Sequence, residues 1–190
     1  MIKRLAFGAI CTAFLITSGM SAALAESDER ALWQALKSGE AFALMRHALA
    51  PGSGDPAEFT LGDCSTQRNL NEEGRAQARA IGARFRANGL KSMDIHSSQW
   101  CRCQETARLM ELGPVNELPA LNSFYEAPER GDPQTAELKS WLGTYKPTGP
   151  LLLVAHFVTA SALLDAYPDS GEVVVAKRNP DGSFMVLGSL

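Results

Sequence analysis

The chain has 190 residues, 45% of them hydrophobic, with 18 basic and 21 acidic side chains and a net charge of −3. That length suits one domain with a full core, and the acidic balance argues against nucleic-acid binding. Arg75, Arg79, Arg84 and Arg86 do cluster, but at helical spacing among alanines, which reads as a solvated helix face.

Lys3 and Arg4 precede an almost wholly apolar stretch over residues 5–16, and Ala23-Leu24-Ala25 forms a small-x-small cleavage site. The pattern predicts a secretory signal peptide over residues 1–25, cleaved after Ala25. Its apolar core is short for a membrane span, so no stable membrane anchor is expected after cleavage. The expected mature chain, 26–190, is a single domain in the periplasm or outside the cell. It keeps 16 basic and 21 acidic residues and three cysteines, Cys64, Cys101 and Cys103. An oxidising compartment makes one disulfide plausible. Cys64 is expected to pair with Cys101 or Cys103, with Cys101 preferred and the leftover thiol a small core residue. Cys101-Arg102-Cys103 lacks the spacing and partner ligands of a zinc site.

Residues 27–37 predict a helix, with Ser27 as its N-cap, Leu32, Trp33 and Leu36 on its apolar face and Gly39 beyond its end. Residues 41–45 predict a strand that ends at Arg46-His47. A long loop follows over 48–70, with Pro51, Gly52, Gly54, Pro56 and Gly62; such a loop is usually functional or disordered. Asn71 should cap a helix to about residue 87, with Ala76, Ala80, Ile81 and Phe85 inside and Asn88-Gly89 at its end. Residues 92–97 predict a strand, 100–111 a helix, 118–130 an irregular stretch, and 133–145 a helix with Pro133 in its first turn. Leu151-Leu152-Leu153-Val154-Ala155 predicts a second buried strand, and it ends in His156. Residues 158–166 predict a short helix. Residues 172–177 and 183–186 predict a hairpin around Asn179-Pro180-Asp181-Gly182. Strands alternating with helices predict a three-layer α/β/α sandwich with a mostly parallel central sheet.

Three groups could carry chemistry. Two buried strands each deliver a histidine, His47 and His156, at the edge where open α/β sheets bind ligands. Arg46 beside the first suggests an anion, and a phosphate above all. Arg102 lies in the first turn of a helix, where free N–H groups and the helix dipole favour the same ligand. Singly, each has an ordinary structural explanation.

Together, Arg46-His47-Ala48, the stretch Ser98…Arg102-Cys103…Thr106-Ala107 and the late His156 resemble the histidine phosphatase superfamily, which includes the cofactor-dependent phosphoglycerate mutases. The resemblance extends from about residue 41 to the C-terminus and points to a small single-domain exported bacterial branch. It implies a phosphoglycerate mutase-like fold and a phosphatase that works through a covalent phosphohistidine on His47. Arg46, Arg102 and His156 would hold the phosphoryl oxygens, without metal or cofactor. Arg68 is either a further phosphate contact, as in similar bacterial phosphohistidine phosphatases, or a salt bridge at the helix entry.

Two departures from the family pattern stand out. Ala48 replaces the glycine of Arg-His-Gly. Leu121-Asn122-Ser123 replaces a Leu-x-Glu stretch that carries the family's general acid, and Phe157 stands where another branch has an aspartate. Glu126 is the nearest candidate acid, with Glu129 and Asp63 as alternatives. The expected partner is a small phosphorylated substrate, with cell-envelope sugar phosphates fitting the compartment. A phosphate- or phosphosugar-binding protein with little turnover is the alternative, and a mutase is a weaker one. His96 is expected to be structural. Phe124, Tyr125 and Trp100 either line the substrate mouth or pack. Substrate and oligomeric state are not legible.

Overall fold

A computed structural model describes residues 17–190, with side chains from residue 28 onward. The start of the expected signal peptide, residues 1–16, lies outside the described residues. Helix α1 runs Thr17–Ser38, straight through Ser27 and the expected cleavage point. Ser27 is therefore not an N-cap in the full-length chain. Ala22, Ala23, Leu24, Ala25 and Glu26 are good helix formers and extend the helix backward.

Six strands form one mixed sheet: β1 Phe42–Arg46, β2 Asp94–Ser97, β3 Val115–Glu117, β4 Leu151–Ala155, β5 Val173–Arg178 and β6 Phe184–Ser189. Their order is β3-β2-β4-β1-β5-β6. β3, β2, β4 and β1 run parallel, and β5 and β6 are added antiparallel as the expected hairpin. Its turn closes through Asn179 N–H donating to Ser183 O at 2.8 Å.

The two-residue period of the strands separates two cores. Ala43, Met45, Ile95, Leu152, Val154 and Val175 face α1, α2 (Glu72–Ala87) and α3 (Cys101–Leu109). Phe42, Leu44, Leu153, Ala155 and Val174 face α4 (Gly131–Thr144) and α5 (Phe157–Leu164). β4 is buried along its whole length, as a continuous apolar run requires between two helical layers. Burying each large aliphatic side chain contributes about 1.5–3 kcal/mol, so the sheet centre is the stable frame on which the strand ends are held.

The expected inner face of α2 needs correction. In α2 the buried face is Gly74, Ala78, Gly82 and Phe85, and Ala76 and Ala80 are exposed. The glycines are the close-approach positions: a Cβ on Gly74 would sit 2.0 Å from Leu49 O, and one on Gly82 2.1 Å from Met110 O. The stretch after α3 also contains β3, a short, half-exposed strand at the sheet edge. Within 118–130, short 3-10 turns form at Pro119–Leu121 and Pro128–Arg130.

Candidate active site

The site forms at the C-terminal ends of three neighbouring strands. β1 leads to His47, β4 to His156 and β2 to Ser98. Backbone bonds hold these ends level: His47 N–H donates to Ala155 O at 3.0 Å and Ser98 N–H to Val154 O at 2.9 Å. The chain leaves β1 across one face through α2 and enters β4 across the other through α4. The crevice between β1 and β4 therefore opens where ligands bind in open α/β sheets. A cavity of about 300 Å³ lies there. Arg46, His47, Arg68, Arg102, Glu126 and His156 all line it.

His47 is 2% exposed. Its Nδ1 lies 2.8 Å from Ala48 O, which can only accept, so Nδ1 carries the ring proton and Nε2 keeps its lone pair. Burial foremost, then the guanidinium charges of Arg102, Arg68 and Arg46, push this imidazole down to about 3 against the opposing Ala48 carbonyl. Arg102 Nε–H donates to Nε2 at 3.2 Å. Ala48 is fully buried and its backbone does not lie in the left-handed region, so the methyl group in place of the family's glycine is accommodated. Thr106 Oγ1 accepts from Ala48 N–H at 3.0 Å and donates to Arg102 O at 2.7 Å. The threonine of the second motif thus ties the strand end that carries His47 to α3.

His156 is held from behind. Its Nε2 lies 2.8 Å from Ser98 Oγ, which donates to Asn122 Oδ1 at 3.2 Å. Asn122 Oδ1 already accepts from Gln99 N–H at 2.9 Å. Burial, then the neighbouring Arg102 and His47, hold His156 well below the ordinary histidine value, so it too is neutral. Cys103 sits behind it, fully buried, with its thiol pushed up to about 12 by burial.

Arg46 donates through Nη1 to Pro168 O at 3.2 Å, lies over the Phe157 ring, and keeps a buried Nε–H with no protein partner. Arg68 makes no surface salt bridge; its Nε donates to Gly54 O at 2.7 Å and its Nη1 to Ala50 O. The disulfide is Cys64–Cys101, between the long loop and the residue just before Arg102.

The candidate acids separate. Glu126 lies at the exposed rim of the cavity, next to Gly54. Glu129 is exposed and does not line the cavity. Asp63 caps the 3-10 turn Cys64–Thr66 by accepting from Ser65, also away from the cavity. The expectations for Glu129 and Asp63 are corrected accordingly: each is spent on solvent or on its own turn. Tyr125 lines the mouth, whereas Trp100 packs against Phe59 and His156.

Asp55 is a site residue without a signature in the sequence. Its side chain is 7% exposed and lines the cavity. Its Oδ1 and Oδ2 accept from Arg102 Nη1 (2.7 Å) and Nη2 (3.1 Å). They also accept from Arg68 N–H (3.1 Å) and Trp100 Nε1–H (3.0 Å). An aspartate in a loop without periodicity carries no local signal; only the length of the loop hinted at a role. Among the described residues, no group of three or more His, Cys, Asp or Glu side chains could hold a metal ion, and no helix is long and apolar enough to cross a membrane.

The fold matches solved structures of similar architecture. The mycobacterial glucosyl-3-phosphoglycerate phosphatase in complex with VO3 aligns with a TM-score of 0.55 at 15% identity, covering 77% of this chain and 96% of that one. YhfR of Bacillus stearothermophilus aligns at 0.56 and 18% identity, covering 78% and 95%. The protein histidine phosphatase SixA complexed with tungstate aligns at 0.53 and 13% identity, covering 79% and 96%. No curated protein matches the sequence. The sequence profile of the histidine phosphatase superfamily, branch 1, matches residues 42–146, and the chain belongs to that superfamily.

Proposed function

We propose that the protein is an exported, metal-independent phosphatase that hydrolyses small phosphomonoesters through a phosphohistidine on His47. The observation that carries this reading is the neutral His47, whose Nε2 accepts from Arg102 in a cavity that Arg46 and Arg68 also line. Nε2 attacks phosphorus, the N–P bond forms, and the ester P–O bond breaks. Arg46, Arg68, Arg102 and His156 surround the non-bridging oxygens, and the guanidinium donors stabilise the charge on them as it develops. Glu126, at the rim, is the group placed to protonate a leaving oxygen. Water then attacks the phosphohistidine, releases phosphate and restores His47. Export is supported by the signal-like N-terminus and the disulfide. A cavity of about 300 Å³ suits a small ligand such as an envelope sugar phosphate.

One observation favours the alternative of a phosphate-binding protein without turnover. Ser123 stands at the position of the family's acid, and Asp55, the buried carboxylate of the lining, is engaged by Arg102. A phosphomonoester panel on the oxidised mature chain separates the two. A phosphatase gives EDTA-resistant, vanadate-sensitive hydrolysis and an acid-quenched phosphohistidine at His47. Calorimetric phosphate binding without hydrolysis or labelling supports the binding protein and overturns the phosphatase.

A further inference from the structure

We propose that Asp55 is a positioning residue, clamping the end of the Arg102 guanidinium so that its side edge faces His47 and the phosphoryl group. The proposal rests on the phosphatase reading above. A guanidinium can grip an oxyanion by its end edge, through Nη1 and Nη2, or by its side edge, through Nε and Nη2. Asp55 takes the end edge with both carboxylate oxygens, at 2.7 and 3.1 Å. The side edge is directed at the nucleophile, with Nε 3.2 Å from His47 Nε2. A phosphoryl group arriving at Nε2 takes over the Nε–H that now donates to Nε2, together with the remaining Nη2–H, while the Asp55 grip on the end edge stays as it is.

The clamp is itself fixed. Trp100 Nε1–H and Arg68 N–H complete four donors on the carboxylate, and Arg102 Nη1 also reaches Arg68 O at 3.3 Å. Cys101 N–H donates to Gln67 Oε1 at 2.9 Å, and the Cys64–Cys101 bond joins the same two segments. The loop carrying Asp55 and the helix carrying Arg102 are thus stitched together on both sides of the pair. Asp55 also offsets one of the three arginine charges around two neutral histidines.

Two other roles make different predictions. If Asp55 were the general acid, its loss would matter most for poor leaving groups. If it were a plug in the phosphate seat, its loss would tighten anion binding. The test compares Asp55→Asn, Arg102→Lys and the double variant with the wild type. Hydrolysis of 4-nitrophenyl phosphate and phenyl phosphate is measured together with vanadate affinity by calorimetry. The clamp predicts that Asp55→Asn lowers kcat/KM about 10- to 100-fold on both esters, mainly through kcat, the scale of a displaced positioning group. It also predicts weaker vanadate binding and little further loss when Arg102 is already lysine. A selective loss on phenyl phosphate, tighter vanadate binding, full activity, or additive losses in the double variant would each overturn it. A vanadate-bound crystal structure of the unmodified protein decides without any variant: an intact Asp55–Arg102 pair supports the clamp, and a displaced carboxylate refutes it. Absence of turnover by the wild type would instead sink the phosphatase reading, and the vanadate measurements would still report on the clamp.

Discussion

The sheet holds two buried polar clusters built around histidine, and they differ in whether their partners are complete. In the first, His96 Nε2 lies 3.1 Å from Asp94 Oδ1 and 3.0 Å from Tyr145 OH. Asp94 Oδ2 accepts from Tyr145 OH, Thr148 N–H and Thr148 Oγ1–H, and Trp141 and Tyr145 pack edge-on against the ring. The cluster closes on itself and ties the C-terminal end of α4 to β2. In the second, His47 and His156 face guanidinium groups, and Arg46 Nε–H has no protein partner. A closed network holds a fold together, whereas an open one keeps donors for a ligand. Substitution tests the contrast most strongly. His47→Ala should lower kcat/KM by roughly 10³-fold or more, the scale of losing a covalent nucleophile. His96→Asn should cost about 1–3 kcal/mol of stability and leave kcat/KM near wild type. Comparable activity losses in the two variants would erase the distinction.

A second test acts on the open cluster through its loop. Cys64 and Cys101 are 37 residues apart, and closing a loop of that size restricts the unfolded chain by about 4 kcal/mol in the chain-entropy picture. Replacing both cysteines by serine should lower denaturant stability by about that amount. It should also weaken phosphate binding, because the freed loop carries Arg68 and Asp55. A variant that loses stability and keeps its phosphate affinity would show that the hydrogen bonds of Gln67, Arg68 and Asp55 seat the loop unaided.

The strand ends were legible because their signal is local. A buried run ending in a charged residue says where a side chain emerges, and Arg46, His47, Arg102 and His156 converge as the sheet edge requires. Arg68 and Glu126 also reach the cavity. Asp55 was not legible, since its partners lie 13 and 45–47 residues away along the chain. β3 was too short to show alternation. The α2 face was not legible, because its close approach is made by glycines, which carry no apolar signal, and not by Ala76 and Ala80. These glycines give a third test. Adding a methyl at Gly82 forces α2 off Met110 and should cost about 1–3 kcal/mol of stability, with activity kept. Adding one at Gly74 pushes on Leu49, two residues from His47, and should lower kcat as well. An activity loss in Gly82→Ala equal to that in Gly74→Ala would mean that the helix seat, and not the segment beside His47, sets the rate.

Proton binding separates the two clusters with the smallest effect. His47 stays neutral in the folded protein down to about pH 3, while an unfolded histidine takes up a proton near 6.5. Between those values the unfolded chain binds more protons, so stability falls as pH drops from 6.5 toward 3, with a slope approaching about 1.4 kcal/mol per pH unit for each such histidine. His156 adds to this in the same direction. His96 is also lowered by burial, but the adjacent Asp94 carboxylate opposes the shift. Asp55 and Asp94 are held below the ordinary carboxylate value of 3.8 by their hydrogen-bond donors, against the effect of burial. Their protonation therefore acts below that value, and the window from about 4 to 6.5 belongs to the histidines. Denaturant melts across this window should show a shallower slope in His47→Gln than in wild type, by up to one proton, and a smaller change in His96→Asn. An unchanged slope in His47→Gln would mean that His47 is protonated in the folded protein, and a protonated Nε2 has no lone pair with which to attack phosphorus.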